Sequence, residues 1–313
     1  MSEIGLGAWQ LGGDWGRVDD PIGVIDAAVQ SGVTFIDTAD VYGDGRSEQV
    51  IAEYRRRNPD VALTVATKMG RRVPQVPENY TLAAFREWTD RSRANLNVDV
   101  LDLVQLHCPP TEVYENDAVF DALDTLVAEG RIEAYGVSVE TRAQALRAIA
   151  RPGVATVQII LNMLRLGPLA EVLPAAQAAG VGIIARVPLA SGLLSGRYDA
   201  TTTFAPDDHR TYNRHGEAFD VGETFSGVPY EVGLQAVARL APLVPPGVSM
   251  AAFALRWILD QPGVSVVIPG ARTPEQARAN AAAADLAPLP ADTLAAVRAV
   301  YDELIAPLVA DRW

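Results

Sequence analysis

The chain has 313 residues, 49% of them hydrophobic, and its 39 acidic side chains outnumber 26 basic ones for a formal charge of -13. So acidic a surface repels phosphate backbones and anionic lipid, which argues against nucleic-acid and membrane partners. A single cysteine, Cys108, excludes an intramolecular disulfide and suits a reducing cytoplasm.

In chain order, Ile4 to Trp9 is the first of a series of short apolar runs. Ile22 to Ser31 has a helical pattern stopped by Gly32, and Val33 to Asp37 is the second run. Ala62 to Lys68 is the third, followed by a helical pattern over Thr81 to Leu96. Leu101 to His107 is the fourth, and the helix after it, Ala118 to Ala128, ends at Gly130. Ile132 to Ser138 is the fifth, and Ala143 to Ala150 stops before Pro152. Ala155 to Ile160 is the sixth, and Leu169 to Ala179 ends at Gly180. Val181 to Val187 is the seventh and Val264 to Ile268 the eighth. Pro274 to Ala284 closes the series, with Thr273 placed to cap it and Pro274 at its first position.

The eight runs are rich in Val, Ile and Leu and do not alternate with polar residues, as strands buried on both faces require. Strands alternating with helices imply a parallel sheet, and eight is the number that closes a (β/α)8 TIM barrel. No linker interrupts the series, so 1–313 is expected to be a single domain. The segment from about 196 to 229 carries no period. It follows strand seven, at the face where barrel sites lie, and is either a lid or an insertion without a role. No metal-ligand spacing joins His107, His209 and His215. The N-terminus has no signal-peptide pattern, and no apolar run reaches the length of a membrane span.

Barrel chemistry sits at the C-terminal ends of strands. Strand two ends at Asp37, strand three at Lys68 and strand four at His107, with Tyr42 five residues beyond Asp37. Each alone is explained as a cap, a solvated charge or a structural histidine; three adjacent strands ending this way point to a device. A carbonyl that accepts hydride needs a proton. Tyrosine can supply it if an ammonium stabilises the phenolate, and a carboxylate keeps that ammonium charged. Asp37 would hold Lys68, Lys68 would lower the pKa of Tyr42, and His107 would direct an N–H at the substrate oxygen.

The segments Phe35-Ile-Asp-Thr-Ala-Asp-Val-Tyr-Gly43, Val65-Ala-Thr-Lys68 and Leu103-Val-Gln-Leu-His107 resemble the aldo-keto reductases, in order and in spacing. The resemblance runs from Gly5-Leu6-Gly7 to the helix after strand eight, and it implies Asp37, Tyr42, Lys68 and His107 as the catalytic tetrad. It implies NADP(H) as cofactor, bound without the dinucleotide-binding fingerprint GxGxxG, which this chain lacks. Ser138 and Gln158 match positions that hold the nicotinamide carboxamide. Gly7, Ala8, Trp9 and Asp37 lie along the same site. The segment Val187 to Ser195, with Val187, Pro188, Leu189, Gly192, Leu193 and Ser195 in contact, resembles the stretch that wraps nicotinamide and pyrophosphate. Gly270, Ala271 and Arg272 resemble the segment at the adenosine 2′-phosphate, with Gln276 and Asn280 toward adenine.

Arg272 can fork onto that phosphate or be a surface charge; a cation at a helix N-terminus opposes the macrodipole, which favours the phosphate. Many relatives have lysine at Gly270, an acid at Ala279 and asparagine at Val139. The substrate is expected to be a small carbonyl or alcohol compound. Trp9, Trp15, Met69 and Arg71 would line the pocket mouth, although Trp15 and Met69 read equally well as packing. A nicotinamide-binding regulatory or redox-sensing relative is the alternative to an enzyme. No apolar surface patch is evident, so a monomer is expected.

Overall fold

The computed structural model describes residues 1–13 and 18–313. Its eight strands are β1 (Leu6–Gly7), β2 (Phe35–Asp37), β3 (Thr64–Met69), β4 (Leu101–His107), β5 (Ile132–Ser138), β6 (Val154–Ile160), β7 (Gly182–Arg186) and β8 (Val264–Val267). All neighbours pair parallel in the order β1 to β8. The two edges meet: Gly5 N–H donates to the Val267 carbonyl, Gly7 N–H to Pro269, and Val267 N–H to Glu3. Isolated parallel bridges Ile4–Val267 and Gly7–Gly270 lie on the same seam. Strand one is shorter than its apolar run, because Trp9 already belongs to the 3-10 turn Trp9–Gly12.

Side chains alternate along each strand, so Phe35 and Asp37, Ala66 and Lys68, Leu103 and Gln105, and Ile184 and Arg186 share the barrel interior. Phe35, Ala66, Leu103, Ile184, Val266 and Ile268 make an apolar floor separate from the main core. The main core fills the space between strands and helices. One layer above the floor the interior turns polar, with Asp37, Lys68, Gln105 and Gln158 all buried. The register sets that layer: Lys68 lies level with Gln105, and Ser138 with both His107 and Gln158.

The helices carry the start signals their sequences announce. The Thr81 hydroxyl accepts from Ala84 N–H at the head of Leu82–Leu96. Thr141 and Gln144 form a reciprocal capping box before Arg142–Ile149. Thr273 caps Pro274–Ala281 with proline first. Further helices span Arg46–Arg57, Tyr230–Leu240, Met250–Leu259 and Ala291–Val300. The aperiodic 196–229 segment is built of short turns, His209–Tyr212, Val221–Glu223 and Phe225–Gly227. Among the described residues no helix is long and apolar enough to cross a membrane.

Candidate active site

At the C-terminal end of the barrel, Lys68 Nζ lies 2.6 Å from Asp37 Oδ2 and 2.8 Å from the Thr38 carbonyl. It also sits 5.2 Å from the centroid of the Tyr42 ring. Gln158 Nε2 donates to the second Asp37 oxygen at 2.7 Å, and Gln105 Nε2 approaches the same atom at 3.3 Å. The His107 ring stands edge-on to Tyr42 with centroids 5.9 Å apart. The three residues that end neighbouring strands in the sequence, with Tyr42 from the loop after the second, are thus one cluster.

Tyr42 depends on a tight loop. Gly43 adopts φ 60, and a Cβ there would overlap the Gly12 carbonyl, so only glycine permits this approach. The Thr38 hydroxyl donates to Ser47 Oγ at 2.8 Å, and Ser47 Oγ to the Ala8 carbonyl at 2.9 Å, tying the loop to the end of β1.

Burial pushes the Lys68 ammonium down, but Asp37 and Tyr42 together outweigh it and the net shift is upward, so the lysine stays charged. For Tyr42 the expected lowering is not the net result: burial raises its pKa more than Lys68 lowers it. Before ligands bind, the tyrosine is firmly a neutral O–H. His107 is held well below its usual value, by burial first and then by Arg71, Lys68 and Arg186, so its imidazole is neutral. Its Nδ1 is buried without a hydrogen-bond partner.

The residues matched to a cofactor form a strip from β5 round to the last helices. Ser138 is buried, with its Oγ 3.3 Å from the Cys108 thiol and its carbonyl accepting from Tyr114 OH at 2.8 Å. Gln158 is committed to Asp37 through its Nε2. In the 187–195 stretch Pro188 and Leu193 are buried, while Val187, Leu189, Gly192 and Ser195 are half-buried. Val187, Ala190 and Ser191 have positive φ, as does Gly192, a chain of left-handed residues that turns the backbone sharply. Ser195 Oγ donates to the Gly192 carbonyl at 2.6 Å.

Gly7 and Gly270 are bridged, and a Cβ on Gly270 would lie 2.5 Å from Gln10 Oε1. Gln10 therefore fills the space that a side chain at 270 would take, and its Oε1 is buried without a partner. Ala8 and Ala271 are buried beside this seam. Arg272 is exposed just before the helix Pro274–Ala281. Its backbone N–H donates to Gln276 Oε1 at 2.7 Å, and Asn280 Nδ2 donates to the Gly270 carbonyl at 3.1 Å. Both amides thus shape the loop that carries Arg272.

Of the residues expected at the pocket mouth, Trp9 is half-buried, 6.4 Å from the Tyr42 ring and 5.0 Å from His209. Met69 is a correction: it is 1% exposed and packs in the core, because the side chain after the inward-facing Lys68 points outward. Trp15 lies outside the described residues. Arg71 belongs to a half-buried charged group the sequence reading missed. Its Nη2 is 3.0 Å from Glu223 Oε1 and 3.6 Å from Glu140 Oε1. Arg186, the last residue of β7, is 2.9 Å from Glu140 Oε1 and 3.7 Å from Glu223 Oε1. Burial and then Glu223 act on Glu140 against Arg186 and push its pKa up to about 7, whereas Arg71 and Arg186 overcome burial and hold Glu223 at about 2. Glu140, Glu223 and Cys108 lie close enough together to hold a metal ion. However, the two guanidiniums already serve the carboxylates, and burial pushes the thiol up to about 12.

The family model for the aldo/keto reductase family matches residues 3–302. The chain is 33% identical over 290 residues to the aldo-keto reductase YhdN of Bacillus subtilis, covering 89% of this chain and 83% of that protein. Its fold is similar to that of the glycerol dehydrogenase of Gluconobacter oxydans, with a TM-score of 0.76 and 30% identity over 100% of this chain and 94% of that one. It is also similar to an aldo-keto reductase of Klebsiella pneumoniae solved with NADPH, with a TM-score of 0.67, 27% identity, and 96% and 90% of the two chains covered. On the family match and these likenesses, the chain belongs to the aldo/keto reductase family.

Proposed function

We propose that this protein is an NADP(H)-dependent oxidoreductase that reversibly interconverts small carbonyl compounds and alcohols, with Tyr42 as proton donor. The observation that carries the reading is the buried Lys68 ammonium, fixed by Asp37 at 2.6 Å and set against the Tyr42 ring. Burying a charge is costly, and here it faces the one group that needs it when ionised.

The strip from Ser138 to Asn280 fits a dinucleotide. The orphaned Gln10 Oε1 offers an acceptor beside the close-packed Gly7–Gly270 seam, and Arg272 stands exposed at its far end. Ser138 and Gln158 would face the carboxamide, the 187–195 turn the nicotinamide and pyrophosphate, and Arg272 the 2′-phosphate. When bound, NADPH supplies the hydride.

The chain's own residues do the rest. The neutral His107 N–H binds and orients the substrate oxygen. As charge develops there, the Tyr42 O–H gives up its proton to that oxygen, and Lys68 compensates the phenolate left behind. Gln158 and Gln105 hold Asp37, and Asp37 holds Lys68, so the ammonium does not drift during the transfer. The single barrel domain carries 196–229 as a lid, with His209 against Trp9 and Glu223 inserted beside Arg71. Likeness to a glycerol dehydrogenase and to an NADPH complex supports the cofactor and the alcohol–carbonyl chemistry.

Replacing Tyr42 by Phe tests this. Aldehyde-dependent NADPH oxidation falls by at least about 100-fold, while the Kd for NADPH, read from cofactor fluorescence, stays within about threefold of wild type. Wild-type turnover in the variant removes Tyr42 as the donor.

A further inference from the structure

Of the four charged side chains beside Tyr42 and His107, three stand at strand ends: Arg71 and Glu140 just beyond β3 and β5, and Arg186 at the end of β7. Glu223 alone comes from the 196–229 segment, on the turn Val221–Glu223. It enters between the arginines, 3.0 Å from Arg71 and 3.7 Å from Arg186. Glu140 already lies 3.6 Å and 2.9 Å from the same two guanidiniums. Ser191 Oγ helps to hold the segment there, donating to the Glu223 carbonyl at 2.9 Å.

Closure of the segment thus sets one carboxylate against another. Both Glu140 oxygens are shielded from solvent, and Glu140 and Glu223 are within hydrogen-bond reach of each other. Two carboxylates have no hydrogen to share and repel; a proton on one turns the contact into a charge-assisted hydrogen bond. Asp220, from the same segment, also faces Glu140 and adds to the repulsion, while Arg71, Arg165 and Arg186 from the barrel oppose it. Cys108 and Tyr114 face it too, and both stay neutral, because burial pushes the thiol up to about 12 and the phenol well above its usual value. With the segment away, Glu140 would have the three guanidiniums to itself, in contact with water, and would stay ionised.

We propose that closure of the 196–229 segment takes up one proton from solvent, held between Glu140 and Glu223, so that acid fastens the lid and alkali loosens it. This rests on reading that segment as a lid, as above. In the closed form burial and then Glu223, against Arg186, lift Glu140 to about 7. Closure is therefore favoured most at low pH, and the advantage is lost as pH rises through that value. His209, in the same segment, is held by burial at about 4 and stays uncharged across the change.

The test is hydrogen exchange of the cofactor-free full chain at pH 6 and pH 8.5, read by mass spectrometry on peptides from 196–229 and corrected for the intrinsic rate at each pH. Protection of these peptides in wild type falls by about tenfold between the two, as one proton bound at about 7 requires. In Glu140→Gln, and independently in Glu223→Gln, the change shrinks to within about twofold. A carboxylate that merely props the segment lowers protection equally at both values and leaves the ratio standing. Wild-type protection that ignores pH, or a tenfold change that persists in either variant, therefore overturns the proposal; should Glu140→Gln not fold, Glu223→Gln decides alone. No cofactor enters the experiment, so failure here leaves the oxidoreductase reading standing, and failure of NADPH to bind leaves the proton uptake untouched.

Discussion

Asp40 lies two residues before Tyr42 with its carboxyl group buried, and neither oxygen has a hydrogen-bond partner. Burial and then Glu48 push its pKa up to about 7, against the pull of Arg72 and Arg91. The folded protein therefore holds a proton there that the unfolded chain releases near its ordinary value of 3.8. The sign follows: this group favours folding most below that value, and the advantage is lost as pH rises through about 7. Asp40→Asn cannot ionise, so its stability relative to wild type should climb between pH 4 and 8, by about 3 kcal/mol in urea unfolding. A stability difference that does not change with pH contradicts the assignment. Arg272 is the other residue with a separable role. If it meets the 2′-phosphate, Arg272→Ala weakens NADPH by about tenfold to 100-fold and leaves NADH nearly unaffected; equal losses for both cofactors remove the role.

Among the elements, the 196–229 segment, proposed as a lid, is held from outside the barrel as well as from within. Trp313 Nε1 donates to Asp220 Oδ1 at 3.1 Å, the Arg165 guanidinium stacks 4.1 Å from its ring, and its carbonyl accepts from Arg142 Nε at 2.7 Å. Gly222 and Gly227 are small where that indole presses on this segment, and Gly227 also has φ 70. Trp313→Ala removes the ring and the bond together, so protease cleavage within 196–229 should accelerate by at least about tenfold, with the barrel remaining resistant. Unchanged cleavage means that the indole does not hold the lid. The strands were readable because a strand buried on both faces cannot hide its apolar run. Helix Arg46–Arg57 escaped the reading because Ser47, Glu48, Ile51 and Tyr54 are its buried residues, so its inner stripe holds only two apolar side chains. Arg186 escaped because strand seven reads as ending at Val187, one residue late. Glu140 and Glu223 lie 83 positions apart, at no spacing that marks a site, and only the closed barrel brings them together.

At the scale of the whole molecule, an acidic barrel presents one polar end above an apolar floor, and the proposed tetrad lies where the floor gives way to that polar layer. The clustering of Asp37, Lys68 and His107 was legible in the sequence because the ends of neighbouring barrel strands converge. The charged group beside them was not, because its members come from four separate loops and strand ends. That end is the proposed NADP(H) site, and binding is the property on which every catalytic assignment depends. The most direct measurement is an equilibrium titration of the purified protein with NADPH and, separately, with NADH, followed by cofactor fluorescence. We expect saturable binding of one NADPH per chain, at least about tenfold tighter than NADH. If neither cofactor binds, the oxidoreductase reading is wrong and the buried lysine–aspartate pair beside Tyr42 requires another explanation.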